Sequence, residues 1–550
     1  MLNTIPKICF ISCLALLPTI SQANIDTQAA VNSVVNEQIQ AADQQVVANK
    51  KAADSCIKLN AISLSESQLF TLDEQQSLLT SYVDRCINAN VIKAIITKVD
   101  NFYTSRGYIT TKPYLKPQDI NNGEIKINVM VGTVQDIVNS KTQQTDGKIA
   151  TAFIGQKNKP LNLRDTETAL EMINRVPSID AKFKIKPSIQ RGASIIEVDI
   201  SESTPYHFSF GVSGEDDLND KNPNLNAVFS ADNLLGINDI LSITINGSTL
   251  QQRYQSTKGR ELNYSFPIGS YLIDFTHADT SYNQGVVGLN QTYLANGDTK
   301  TKRLKISKVL ARDKHNKYQA LFSISHKDTK NYFADQSIEV SSYKTTLAQV
   351  DLIHTYLKNW GQLNNTYSYY QGVDWFGARD DGYIGVEIDL INPATLEFKK
   401  FSIASNLIYY FQNKSYSLNS NFHLQHTKDT LYDNDKLTVG SSGTVRGYSA
   451  SNLFGNNVWY IKNDLSKAVE LSLHPKLLKT ITPFIGLDYG KVRCEDGNIN
   501  SCGEIAGTAV GFKTNSDNLS TDFTWSYPLK DLGQNFNKEQ LFVFNTNWKF

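Results

Sequence analysis

Phe484-Ile485-Gly486-Leu487-Asp488-Tyr489-Gly490 alternates with period two. Its odd positions are Ile485, Leu487 and Tyr489, and its even positions are Phe484, Gly486, Asp488 and Gly490. Successive side chains of a strand point to opposite faces, so one face is apolar and the other is mostly small or charged. A strand in a membrane barrel needs this division, with the odd set in lipid and the even set in the lumen. Asp488 then points into the barrel, where it requires water or a cation. The glycines beside it open room for an incoming segment.

The same pattern extends outward from this stretch. From about Pro205 to Phe550, helical periodicity is absent and short alternating segments recur between turns rich in Asn, Asp, Gly and Ser. Ile240-Leu241-Ser242-Ile243-Thr244-Ile245 and Tyr271-Leu272-Ile273-Asp274-Phe275 are examples. An outer-membrane strand with its share of loop takes roughly 20 residues, so the roughly 345 available suggest about 16 strands. Phe542, Phe544, Trp548 and Phe550 share one parity in the last segment. Composition agrees, because a barrel strand that alternates apolar and polar residues keeps hydrophobic content at an ordinary 40%. Aromatics at 10% can supply interfacial girdles. The 54 basic and 54 acidic residues cancel, which argues against a general nucleic-acid binder.

Residues 52–204 have a different character. Ile57 to Ile62 is strand-like, and Val91, Ile92, Ile95, Val99, Phe102 and Tyr103 mark an amphipathic helix that Gly107 stops. Tyr108 to Thr111 is expected to start a strand, and Ile125 to Val129 forms another. A second unit repeats the order, with strand Thr133 to Val138, helix Arg164 to Arg175 entered from Asn162, and strands at Phe183–Ile185 and Ser194–Ile200. The expected units are 52–132 and 133–204, ahead of a barrel over 205–550.

The first residues look like a signal peptide over 1–23. Lys7 is followed by an apolar run from Ile8 to Ile20 and by Ser21-Gln22-Ala23. Residues 24–51 can form a polar helix with a thin stripe of Val31, Val34, Val35 and Ile39, which needs a host surface or remains a tether. In an exported chain, Cys56, Cys86, Cys494 and Cys502 remain. Their even number favours disulfides over metal ligands. Proximity suggests Cys56 with Cys86 and Cys494 with Cys502, with free thiols as the alternative.

Five motifs in order carry a family resemblance. Gly107-Tyr108-Ile109-Thr110-Thr111 with Pro117-Gln118-Asp119 is similar to the first POTRA signature of the two-partner secretion translocators, the TpsB or hemolysin-activator family. Leu161-Asn162-Leu163-Arg164-Asp165, followed by Asn174-Arg175-Val176-Pro177-Ser178, resembles the second POTRA signature. Asp232 to Asp239 resembles an early barrel hairpin of the family, with Leu234 where Pro is common. Thr444-Val445-Arg446-Gly447-Tyr448 resembles its long-loop motif, and Phe484 to Gly490 its late-strand motif.

The resemblance implies a mainly β protein: an N-terminal helix, two periplasmic α+β POTRA domains and a transmembrane antiparallel barrel. It implies an outer-membrane exporter of one unfolded partner protein, possessing no ATP-driven step. The loop of Arg446 would fold through the lumen and pair with Asp488, whose carboxylate suits a guanidinium fork. The helix at 24–51 would plug the resting pore. Expected contacts are the secreted partner, outer-membrane lipids and lipopolysaccharide, and the barrel-insertion machinery. Activation of the partner during export stays open.

Other classes fit less well. A barrel-assembly factor shares POTRA domains and an Arg-bearing lumen loop but lacks the Leu161–Ser178 signature. A passive porin needs no periplasmic α+β units. For an outer-membrane hydrolase, His207, His277 and His423 have serines nearby, yet no spacing singles out a catalytic set. No phosphate loop, nucleophile motif or zinc-type spacing is present, so no catalytic residue, metal or cofactor is expected.

Overall fold

The computed structural model describes residues 57–65, 69–216, 223–249, 253–379, 394–448, 452–474, 478–495, 502–530 and 540–550. The expected signal peptide, the helix at 24–51 and Cys56 lie outside the described residues.

Two α+β units come first, built to one plan. In the first, Ala61–Ser65 runs parallel to Glu124–Met130, which pairs antiparallel with Lys112–Leu115. Helices α1 (Leu72–Leu79) and α2 (Ala89–Ser105) connect them. Thr71 and Glu74 form a capping box on α1, and the Asn88 side chain accepts the Asn90 and Val91 amides of α2. The apolar stripe of α2 buries Ile95, Val99 and Tyr103 against Ile125, Ile127 and Val129.

Two local expectations need correction. Ile57 to Ile62 is two short strands, because the Asn60 and Ala61 amides both turn to the Gly123 carbonyl. Ile57–Lys58 pairs instead with Cys86–Ile87. Tyr108 to Thr111 is a turn, with the Thr111 amide bonded to the Tyr108 carbonyl, and the strand begins at Lys112.

The second unit places Thr133–Asn139 parallel to Ala193–Glu202, with Ile179–Pro187 antiparallel on the far side. Helices α3 (Gly147–Ala152) and α4 (Leu163–Asn174) cover the sheet, capped by Asp146 and Asn162. Ile149, Leu161, Ile173, Val176, Ile196 and Val198 form its core.

From Tyr206 the chain enters a closed antiparallel barrel of sixteen strands. The first strand, Tyr206–Asp216, closes on the last, Leu541–Lys549. Gln336–Ser337 extends a hairpin, and Val469–His474 continues Val458–Lys467 along the same neighbour.

Burial in this barrel is the reverse of a soluble core. Val350 and Leu352 are 52% and 45% exposed, while Asp351 between them is 6% exposed. Tyr367 and Tyr369 are exposed around buried Ser368. Leaving such apolar side chains in water would forfeit about 1.5–3 kcal/mol each, so hydrocarbon must surround them. Phe542, Phe544 and Trp548 face the same way. No helix among the described residues is long and apolar enough to cross a membrane, so any crossing is made by strands.

Candidate functional site: a loop arginine against the barrel wall

The wall of the site is the strand Leu478–Val492. Ile485 and Leu487 are exposed on its outer face, and Phe484, Gly486, Asp488 and Gly490 are buried on its inner face. Between Thr427 and Val458 the chain forms a long loop braced by a small hairpin, Leu437–Val439 with Leu453–Gly455. Val439, Val445, Tyr448 and Leu453 of this loop pack on Val492 of the wall and on Val458 and Ile505 of its two neighbouring strands.

This apolar seat delivers Arg446 to the inner face. Its Nε donates to Asp488 Oδ2 at 2.7 Å and its Nη2 to Asp488 Oδ1 at 2.8 Å, a bidentate pair. The Arg446 amide also donates to Asp488 Oδ2, and Nη2 to the Asn463 carbonyl. Arg446 Nη1 lies 2.7 Å from Asp464 Oδ1 on the neighbouring strand, giving the guanidinium two carboxylates. The Arg446 side chain is 3% exposed and that of Asp488 is 0%. Burying both charges costs solvation that their attraction roughly offsets, so the pair adds little net stability. It specifies one loop position, because removing either partner strands the other charge.

Two glycines make the approach possible. A Cβ on Gly486 would overlap Arg446 Nη2, and a Cβ on Gly507 would overlap the Arg446 carbonyl oxygen. Gly447 has φ +92°, and a Cβ there would press on the Tyr527 carbonyl group. Thr444 Oγ1 accepts the Gly440 and Ser441 amides and closes the turn before Val445. Tyr448 is buried, and its hydroxyl contacts the Ala506 and Lys530 carbonyls at 2.8 and 3.0 Å.

The two upstream signatures gather at junctions. Gly107, with φ +93°, ends α2, and its carbonyl accepts the Leu163 amide. The Asn162 side chain donates to the Arg106 carbonyl and accepts the Arg164 amide. The first and second units therefore meet through Gly107 and Asn162. Tyr108 packs on the first core, Thr110 lies against Gly132, and Arg164 pairs with Glu167. Asn174 brackets Ala181 with two hydrogen bonds, at 2.9 and 2.6 Å.

Arg175 crosses to the barrel. Its Nη2 donates to the Asn238 and Ser265 carbonyls, and Nη1 to Ser265 Oγ. Burial pushes the guanidinium down to about 10, opposed by Asp274, Asp239 and Asp232, so it stays charged at neutral pH. Beyond Pro177, the Ser178 amide donates to Asp232, whose carboxylate also contacts His207 at 2.8 Å. On the same helix, Glu171 pairs with Arg312 at 2.6 Å and with Lys317.

Cys494 and Cys502 form a disulfide across the loop that follows the wall strand. Cys86 is disulfide-bonded. Asp464, Gly507, Ser265 and Glu171 are site residues that sequence reasoning missed, whereas Asn238 lies within the hairpin motif Asp232 to Asp239. The one available signal was Lys462 and Asp464 at i,i+2 between Ile461 and Leu465, two charges sharing an inward face.

Comparisons with known proteins agree along the chain. The model of the haemolysin secretion/activation protein ShlB/FhaC/HecB matches residues 192–514. A ShlB-type POTRA domain matches 57–132 and a further POTRA domain 133–187. The outer membrane transporter CdiB of Escherichia coli O6:K15:H31 (strain 536 / UPEC) is 29% identical over 476 residues, 86% of this chain and 79% of that protein. The hemolysin transporter protein ShlB of Serratia marcescens is 25% identical, over 82% of this chain and 79% of its own. The solved structure of CdiB from Escherichia coli superimposes with a TM-score of 0.82 at 25% identity, covering 95% of this chain and 98% of that one.

Proposed function

Since the chain belongs to the haemolysin secretion/activation family, an outer-membrane transporter of two-partner secretion, we propose that the Arg446 loop is the latch of its export pore. The observation that carries this is the loop itself, which enters the lumen and holds Arg446 between Asp488 and Asp464. A buried pair with little net stability suits a part with two positions, because moving it exchanges one set of costs for another.

The partner is a secreted protein that arrives unfolded at the POTRA domains. Among the described residues, Lys112–Leu115 and the end of Ile179–Pro187 beyond Ala181 pair with a neighbouring strand on one side only, leaving edges to which an extended client can add a strand. Backbone pairing of this kind tolerates varied client sequence. The client then passes through the lumen without ATP, driven by its folding outside the cell. Residues 24–51 plug the resting pore and leave with the latch. Lipopolysaccharide and other outer-membrane lipids surround the barrel, and the barrel-insertion machinery places it. The test is an immunoblot of culture medium for the neighbouring-gene partner, with and without this protein. Partner found outside only in its presence supports dedicated export; partner secretion that persists without it overturns the proposal.

A further inference from the structure

The outward side chains of the wall strand mark the membrane. Lys479 and Lys491 bracket Ile481, Ile485, Leu487 and Tyr489 on one face. Twelve residues of strand span about 40 Å, which a 45° tilt reduces to roughly the thickness of an outer-membrane apolar band. Lys491 therefore stands at headgroup level on the rim away from the POTRA domains.

At that level the outer face has a built cleft. Leu424, Trp459 and Lys491 stand opposite one another on three adjacent strands, and Phe401 faces His426 beside them. With Arg493 they line a cleft of about 450 Å³. Its floor is aliphatic and aromatic, and its upper edge is cationic. Lys491 and Lys530 share Glu504, so this triad carries one net positive charge. Glu495 is turned to the side-chain amides of Asn456 and Asn457. The Arg493 guanidinium makes no ion pair among the described residues, so Lys491, Lys530 and Arg493 against Glu504 and Glu495 leave the edge with one net positive charge.

We propose that this cleft binds one lipopolysaccharide molecule of the outer leaflet. An acyl chain lies along Phe401, Leu424 and Trp459, and a lipid A phosphate meets Arg493 and Lys491. A phosphorylated glycolipid is the outer-leaflet component that offers both chemistries at this depth, and phosphate favours the guanidinium fork. The inference rests on the outer-membrane placement and is independent of the latch.

The test uses the full-length protein in nanodiscs, with purified lipid A titrated in and phosphatidylglycerol as the competing lipid. Native mass spectrometry counts the bound molecules. One retained lipid A is expected, with Arg493→Gln/Lys491→Gln weakening retention by about tenfold. Trp459→Ala should weaken it as well, and Lys479→Gln at the opposite rim should not. Wild-type retention in both the double variant and Trp459→Ala would overturn the proposal, as would equal retention of phosphatidylglycerol. Heat-modifiable migration confirms that each barrel is folded, and the single variant Arg493→Gln serves if the double variant fails to assemble. Partner secretion, measured in parallel, reports on the export reading separately.

Discussion

Arg175 Nη2 donates to the Ser265 carbonyl oxygen at 2.8 Å, tying the C-terminal end of α4 in the second POTRA domain to the barrel. The same nitrogen holds the Asn238 carbonyl, so one side chain bridges a hairpin turn and a neighbouring barrel strand. The entry to the lumen thus keeps a fixed geometry relative to the domain that would receive the client.

Arg175→Ala should loosen this junction and leave the barrel intact. It strands two carbonyls at a part-buried contact, at about 1–3 kcal/mol each. Amide hydrogen exchange should accelerate at Leu163–Asn174 and at residues 233–239, with barrel strands unaffected. Unchanged exchange at both places would show that Arg175 does not hold the dock.

The junction should also weaken in acid. Burial raises the Glu171 carboxyl, but Lys317 and Arg312 outweigh it and hold the group below its ordinary value of 4.5. A depressed carboxyl contributes fully above that value and loses its contribution as pH falls through the lower docked value. Protection of the Leu163–Asn174 amides, taken relative to their intrinsic exchange rate at each pH, should therefore stay constant from neutrality to about pH 5 and fall below it. Glu171→Gln should remove the pH step; a step that persists in that variant would assign it elsewhere.

Gly507→Ala should unseat the loop without breaking the barrel, because its Cβ would occupy the position of the Arg446 carbonyl oxygen. Single-channel conductance should rise and the barrel should remain heat-modifiable. Conductance equal to wild type would mean that the loop tolerates displacement from the wall.

The two carboxylates around Arg446 should differ in weight. Asp488 is fully buried and accepts from Arg446 at three nitrogens, whereas Asp464 is partly exposed and also has Lys513 at 4.0 Å. Asp488→Asn should release the loop at a cost of about 3–5 kcal/mol, and Asp464→Asn should cost less, because Arg446 keeps its bidentate bonds to Asp488. Secretion assays on both variants check the order, and an equal loss from each would contradict it.

How much of this was legible in the sequence depended on the range of each interaction. Period-two parity is local, so the inward face of Phe484, Gly486, Asp488 and Gly490 could be read directly. The helix at Leu163–Asn174 announced itself through Asn162 as cap. The pairing of Arg446 with Asp488 came from family resemblance, since 42 residues separate them and no spacing rule links a loop to a wall. Asp464 escaped because its position opposite Gly486 is set by cross-strand register. The acceptors of Arg175 are backbone carbonyls at Asn238 and Ser265, which carry no side-chain code. Tyr108–Thr111 looked like a strand on propensity, yet turn hydrogen bonds after Gly107 prevailed.

The latch is tested most directly by Arg446→Ala in cells that produce the partner, with partner in the medium and assembled barrel in the membrane measured by immunoblot. The predicted result is a loss of secreted partner of about tenfold or more, from a stranded Asp488 worth several kcal/mol, with barrel level and heat-modifiability unchanged. Normal secretion from an assembled Arg446→Ala barrel would contradict it.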